Sequence, residues 1–301
     1  MNTTKKYPAY QDAGKKQQKI KYIIAVATVL AILWAICVAT LLIYSIVDNA
    51  PSKGDKPDGD GNGAIVETKT YTTSDFTYKV QLDDVAKNAI NSTSIEYLAL
   101  INKENPVGAT YTVENLKNLD TDYTAGGKTL ELESNAAIAA EALMAEMRAY
   151  GYSEIVITSA YRSYDYQKNL FDKYMAQERA KNPNLSDEQL KKIVLGYSAE
   201  PGYSEHHSGL VIDFYLPKRM IDLVNFGSET ASSSADIGFA ESQEYQWLLK
   251  NAHRFGFILR YPEDKVSETG YNYESWHFRF VGIDAATKIY ENNTTLEAYL
   301  K

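Results

Sequence analysis

The 301-residue sequence predicts an α+β fold, a small antiparallel sheet with flanking helices, preceded by an N-terminal transmembrane helix. Three observations predict it. Short β-branched or aromatic runs read as strands, Ala- and Leu-rich runs with helical spacing are mixed among them, and the order lacks the regular β-α-β alternation that builds a parallel sheet. A composition of 45% apolar and 23% charged residues is that of an ordinary globular chain, long enough for a sizeable core.

From Tyr22 to Val47 no side chain is a carboxylate, ammonium or guanidinium. As a helix this run extends about 39 Å, enough to cross a hydrocarbon core of about 30 Å with some tilt. Residues 1–21 hold six lysines against one aspartate, Asp12, whereas Asp48 follows the run. The positive-inside rule therefore predicts a cytoplasmic basic tail at 1–21, a single span at 22–47 and a body outside the cytoplasm. A cleaved secretory signal is the competing reading, but its apolar region is usually only about 7–15 residues long. Either reading exports the body. Cys37, inside the run, is the only cysteine, so no disulfide framework is available to the exported part. The first 21 residues carry +5 of a net −8, which leaves −13 on the rest and excludes a phosphate-binding, nucleic-acid partner.

Residues 49–64 are rich in Gly, Pro, Asp and Lys and nearly devoid of large apolar groups, the composition of a flexible tether. Residues 65–82, rich in Thr, Tyr and Val, suit strands or an extended spacer. A linker is thus expected over 48–93, with the folded domain at 94–301. Within it, Ala136 to Ala149 predicts a helix, Glu154 to Ser159 a buried strand, and Ser163 caps a helix carrying Tyr166, Leu170, Phe171 and Tyr174. Ser186 and Gln189 have capping-box spacing before a helix ending near Gly196. Leu210 to Tyr215, Phe257 to Tyr261 and Trp276 to Val281 read as strands and Ser242 to Phe255 as a helix.

Three of the four histidines fall in two segments, Ser204 to Asp213 (SEHHSGLVID) and Glu274 to His277 (ESWH). Catalytic zinc is held by three imidazole or carboxylate ligands with a fourth position left to water, and His206, Asp213 and His277 supply such a set. On a strand, Asp213 shares a face with Val211, while Leu210, Ile212 and Phe214 point to the core. A carboxylate in so apolar a strand needs a partner, and a metal is the simplest. Glu274, three residues before His277, joins it only through a bend or a helical turn. From there a glutamate can take a proton from water and deliver it to a leaving amine. A guanidinium at Arg162 offers forked donors suited to a carboxylate or oxyanion.

These segments resemble the SxHxxGxAxD and ExxH motifs of the zinc D-alanyl-D-alanine carboxypeptidases of the VanY-like type and of the similar LD-carboxypeptidases. Ser159 to Ser163 (SAYRS) with Gln167, and Asn251 to Pro262 (NAHRFGFILRYP), resemble further segments of that family. The likeness covers roughly Tyr97 to Gly282. It implies zinc on His206, Asp213 and His277, Glu274 as catalytic base, and Arg162, Gln167 and Ser204 around the substrate, here peptidoglycan stem peptides ending in D-alanine. Val211 departs from the pattern's alanine and is expected to narrow the pocket floor. His207 and His253 are read as structural, and the 24 tyrosines as amphipathic packing rather than a sugar-stacking surface. Two rivals stand beside the carboxypeptidase: a binding module without turnover, against which Glu274 speaks, and an endopeptidase cutting cross-links.

Overall fold

The computed structural model describes residues 69–217 and 238–301. The basic tail, the apolar run 22–47 and the tether at 49–64 lie outside the described residues, among which no helix is long and apolar enough to cross a membrane.

In chain order the main elements are α1 (Asp84–Ile90), β1 (Leu116–Asn118), β2 (Glu131–Glu133), α2 (Ser134–Ala149), β3 (Val156–Ser159), α3 (Tyr164–Lys181), α4 (Asp187–Val194), β4 (Val211–Tyr215), α5 (Gln243–Asn251), β5 (Phe257–Leu259), α6 (Val266–Thr269), β6 (His277–Phe280), α7 (Ile283–Glu291) and α8 (Leu296–Tyr299). Four strands form one antiparallel sheet in the order β3-β4-β6-β5, and β1 pairs antiparallel with β2. The expected α+β architecture with a small antiparallel sheet is thus present. Sequence chemistry sets the ends of the elements. The Ser163 hydroxyl accepts the Tyr166 amide at the start of α3, and Ser186 and Gln189 form a reciprocal capping box at α4. The helix expected over 242–255 is α-helical only to Asn251 and tightens to 3-10 geometry at Ala252–Phe255.

Two strands alternate cleanly. Ile212 and Phe214 of β4 and Phe278 and Phe280 of β6 enter the core, which α2 covers with Ala136, Ala140, Leu143, Met144 and Met147. Small alanines let that helix lie close to the sheet. The intervening residues, Val211, Asp213, His277 and Arg279, therefore share the opposite face.

The linker expected over 48–93 is corrected for its described part. Residues 69–93 belong to the same compact unit as the rest of the described chain, Glu67–Lys301. No strand forms at 69–82, because the backbone donors find side chains instead of a ladder. The Tyr71 amide donates to Asp284 (2.9 Å), and the amides of Lys79 and Val80 donate to the two carboxylate oxygens of Glu146 (2.9 and 2.8 Å). Leu82 and Ile90 lie in the core, with Phe76, Tyr78 and Val80 packed against it.

Glu146 is fully buried on α2 and also faces the Arg254 guanidinium at 3.4 Å. Truncating it strands two amides and a cation, and removing one partner of a buried pair costs on the order of 3 kcal/mol. Glu146→Ala is expected to lose about that much in urea unfolding, with new protease cleavage inside 69–93. An unchanged midpoint and cleavage pattern would exclude this bracing role.

Candidate metal centre

Asp213 and His277 are direct partners in the β4/β6 register, so the pairing that builds the sheet also sets carboxylate beside imidazole. His277 Nδ1 lies 3.2 Å from Asp213 Oδ1. His206 arrives from a 3-10 turn, Glu205–Ser208, immediately before β4, and its Nε2 lies 3.2 Å from Asp213 Oδ2. The chain leaves that turn through Gly209 at φ +68°, where a Cβ would meet the Glu133 amide nitrogen at 3.3 Å. Only glycine allows this reversal at low cost.

One donor atom from each of His206, Asp213 and His277 falls within 4.8 Å of the others, and all three residues are buried. Ligand atoms about 2.0–2.2 Å from a tetrahedral zinc lie about 3.3–3.6 Å apart; here each imidazole lies 3.2 Å from one oxygen of Asp213, and all three donors fit within 4.8 Å. Asp213 Oδ1 is buried without a hydrogen bond. Its contact with His277 is near but misaligned, and acts on that ring as neighbouring charge. A carboxylate set between two imidazoles with one oxygen orphaned suits a divalent cation, and the set is a candidate zinc site.

The groups behind the ligands assign the ring nitrogens. His206 Nδ1 donates to the Ala160 carbonyl at 2.7 Å, which leaves Nε2 as the ligand atom. His277 Nε2 donates to Glu205 Oε2 at 3.1 Å, which leaves Nδ1. The electrostatics of the two rings diverge. Burial, aided by the Arg162 charge, pulls His206 down to about 4. Burial also opposes a charge on His277, but the carboxylates of Asp213 and Glu205 outweigh it and push this ring up to about 9. Burial disfavours the charged form of Asp213, yet the flanking histidines hold its carboxyl well below the usual range.

The turn left open at Glu274 is a tight reversal: the His277 amide donates to the Glu274 carbonyl at 3.3 Å, which brings Glu274 Oε2 to 3.4 Å from His277 Nδ1. Arg162, Ser204, His206, Asp213, Glu274 and His277 all line one cleft of about 550 Å³. Its size is that of a small-ligand site. A larger hollow of about 720 Å³, walled by Tyr245, His253, Tyr273 and Tyr290, contains none of the three ligands. The Arg162 guanidinium donates to Ser159 Oγ (3.1 and 2.8 Å), Gln167 Oε1 (3.3 Å) and Asp213 Oδ2 (3.3 Å).

Two expectations need correction. Gln167 is fully buried and absent from the cleft wall, with its amide committed to Arg162 and to the Ala199 carbonyl (2.7 Å), so it orients the guanidinium rather than touching substrate. Val211 is likewise absent from the wall and packs opposite Arg279. His207 bridges the Arg162 carbonyl and the Gly202 amide, and His253 stacks on Tyr290 at 3.9 Å, both as packing residues. Sequence reasoning gave no role to Glu205, Arg260 and Arg279. Charged residues inside the apolar runs FILRY and HFRF were the available signal, since such groups require buried partners.

In the metal-free protein the raised His277 stabilises the fold fully below about 6.5, and that contribution is lost as pH rises through about 9. Metal competes for the same site, so zinc binding at pH 7 is expected to release about one proton and to tighten as pH rises from 6 to 9. Calorimetry in buffers of different ionisation enthalpy measures this; zero proton release at pH 7 would contradict the arrangement around His277.

Comparison with known proteins agrees with this geometry. Residues 129–283 match the family model "VanY: D-alanyl-D-alanine carboxypeptidase". A D-alanyl-D-alanine carboxypeptidase of Enterococcus faecalis (strain ATCC 700802 / V583) is 34% identical over 203 residues, which span 67% of this chain and 65% of that protein's length. Among solved structures, the vancomycin resistance D,D-pentapeptidase VanY in complex with Zn(II), as a mutant, is 33% identical with a TM-score of 0.52, over 68% of this chain and 99% of that one. The LdcB LD-carboxypeptidase is 28% identical with a TM-score of 0.53, over 74% and 93%. The chain therefore belongs to the VanY family of D-alanyl-D-alanine carboxypeptidases.

Proposed function

We propose that this protein is a zinc-dependent carboxypeptidase that removes the terminal D-alanine from peptidoglycan stem peptides. The observation that carries the reading is the convergence of His206, Asp213 and His277 with Glu274 and Arg162 on the walls of one cleft. Family membership and the zinc-bound relative support it. Bound to the three ligands, zinc supplies Lewis acidity toward a carbonyl oxygen and makes water a better nucleophile. Arg162, held from behind by Ser159 and Gln167, presents donors to the substrate's carboxylate or to developing oxyanion charge. Glu274 accepts the proton of the attacking water and returns it to the departing amine of D-alanine. Ser204 lines the same wall. No serine is acylated in this scheme.

The proposal extends to location. A span at 22–47 would anchor the protein in the cell membrane, and residues 48–68 would serve as a tether reaching toward the wall. Supporting it are the uncharged run and its lysine-rich flank. The full chain should then resist carbonate extraction from membranes, and a variant lacking residues 1–48 should not.

Synthetic stem peptides provide the functional test. Mass spectrometry should find free D-alanine from pentapeptide or tetrapeptide stems, abolished by chelators and unaffected by β-lactams. Glu274→Gln should lower kcat by about 10²–10⁴ while retaining zinc. Arg162→Ala should lower kcat/KM by about 10²–10³. Equal turnover in Glu274→Gln and wild type, or a covalent acyl-serine, would refute the mechanism.

A further inference from the structure

Glu205 is neither a ligand nor a proton-transfer group, yet three charged or titratable side chains converge on its carboxylate. It is completely buried at its carboxylate. Oε1 accepts from Arg260 Nε at 2.7 Å and from Arg279 Nη1 at 2.8 Å, while Oε2 faces His277 Nε2 at 3.1 Å. The arginines are themselves fixed. Arg260 donates through Nη1 and Nη2 to Glu297 at 2.8 and 2.6 Å, and Arg279 Nη2 donates to the carbonyls of Tyr97 and Ala99, both at 3.0 Å.

A carboxylate clamped by two guanidinium groups cannot turn away from His277. Its Oε2 lone pairs exclude a lone pair on the facing nitrogen, so Nε2 keeps its proton and Nδ1, which faces Asp213 and Glu274, is the nitrogen that can give up its proton to a cation. We infer that Glu205 is a positioning residue of the metal centre, holding His277 in the tautomer and ring orientation that make Nδ1 a ligand. The inference rests on the reading of His277 as a metal ligand. A purely structural Glu205 would neutralise Arg260 and Arg279 and leave metal affinity untouched.

Glu297 supplies the contrast. It belongs to the same network through Arg260 but makes no hydrogen bond to His277, so Glu297→Gln loosens the network without changing the group that faces the ring. Glu205→Gln keeps an oxygen for the arginines and can set an NH₂ donor against the Nε2 proton.

Zinc affinity by competition with a chromophoric chelator, together with the thermal midpoint, is to be measured for wild type and both variants. Glu205→Gln should bind zinc about 10–100-fold more weakly. Glu297→Gln should keep wild-type zinc affinity even where its midpoint falls. Wild-type affinity in Glu205→Gln, or an equal loss in Glu297→Gln, overturns the inference alone; failure of wild type to bind zinc overturns the metal centre with it. Should Glu205→Gln not fold, ¹⁵N spectra of the zinc-loaded wild type decide. A proton on Nε2 and a metal-shifted Nδ1 at His277 uphold the inference, and metal on Nε2 overturns it.

Discussion

The centre depends on strand register. Asp213 and His277 meet because β4 and β6 pair antiparallel with those two residues opposite each other, and a slip by one position would turn both toward the core. What prevents the slip lies on the other face. Ile212, Phe214, Phe278 and Phe280 are buried there, and each such side chain contributes roughly 1.5–3 kcal/mol by leaving water. The apolar face thus holds the polar face, with Asp213 and His277 on it, in place.

Charge is concentrated around that register. Asp213 and Glu205 are buried carboxylates, and burial disfavours the charge on each. For Glu205, Arg260 and Arg279 more than reverse the penalty and hold its carboxyl well below the ordinary range. Breaking one member of such a set leaves an uncompensated charge, which is far costlier than the set itself is favourable. The network is therefore better understood as fixing geometry than as adding stability. Its far end reaches α8 through Glu297 and the 97–99 segment through Arg279, so distant parts of the chain meet behind one imidazole.

Much of this was legible in the sequence because the relevant signals are local. The alternation in VIDFY and HFRF fixes which residues face the core, and Ser163 and Ser186 announce helix starts through bonds made within three residues. The candidate cluster was readable for a similar reason: a carboxylate in an apolar strand demands a partner, and the structure sets Asp213 beside His206 and His277. The segment 69–93 was not legible, because its Thr- and Tyr-rich composition describes an extended chain but not what that chain leans on. Its anchors, Glu146, Arg254 and Asp284, lie far along the sequence. Gln167 was misread for the converse reason. Its motif position is near Arg162, but only burial reveals that its amide turns inward.

The two histidines of the candidate site are not equivalent, and the difference lies in what stands behind each. A backbone carbonyl supports His206 and a carboxylate supports His277. Both orient a ring, but only a carboxylate carries charge that raises the basicity of the imidazole. Burial and Arg162 therefore leave His206 neutral across the physiological range, ready as a ligand without losing a proton. His277 is drawn to about 9 and holds a proton where a cation belongs. A cation held by Asp213 and both rings would therefore displace a proton from His277 and none from His206. Strand register sets Asp213 opposite His277, and the group behind each ring decides which nitrogen turns toward that carboxylate.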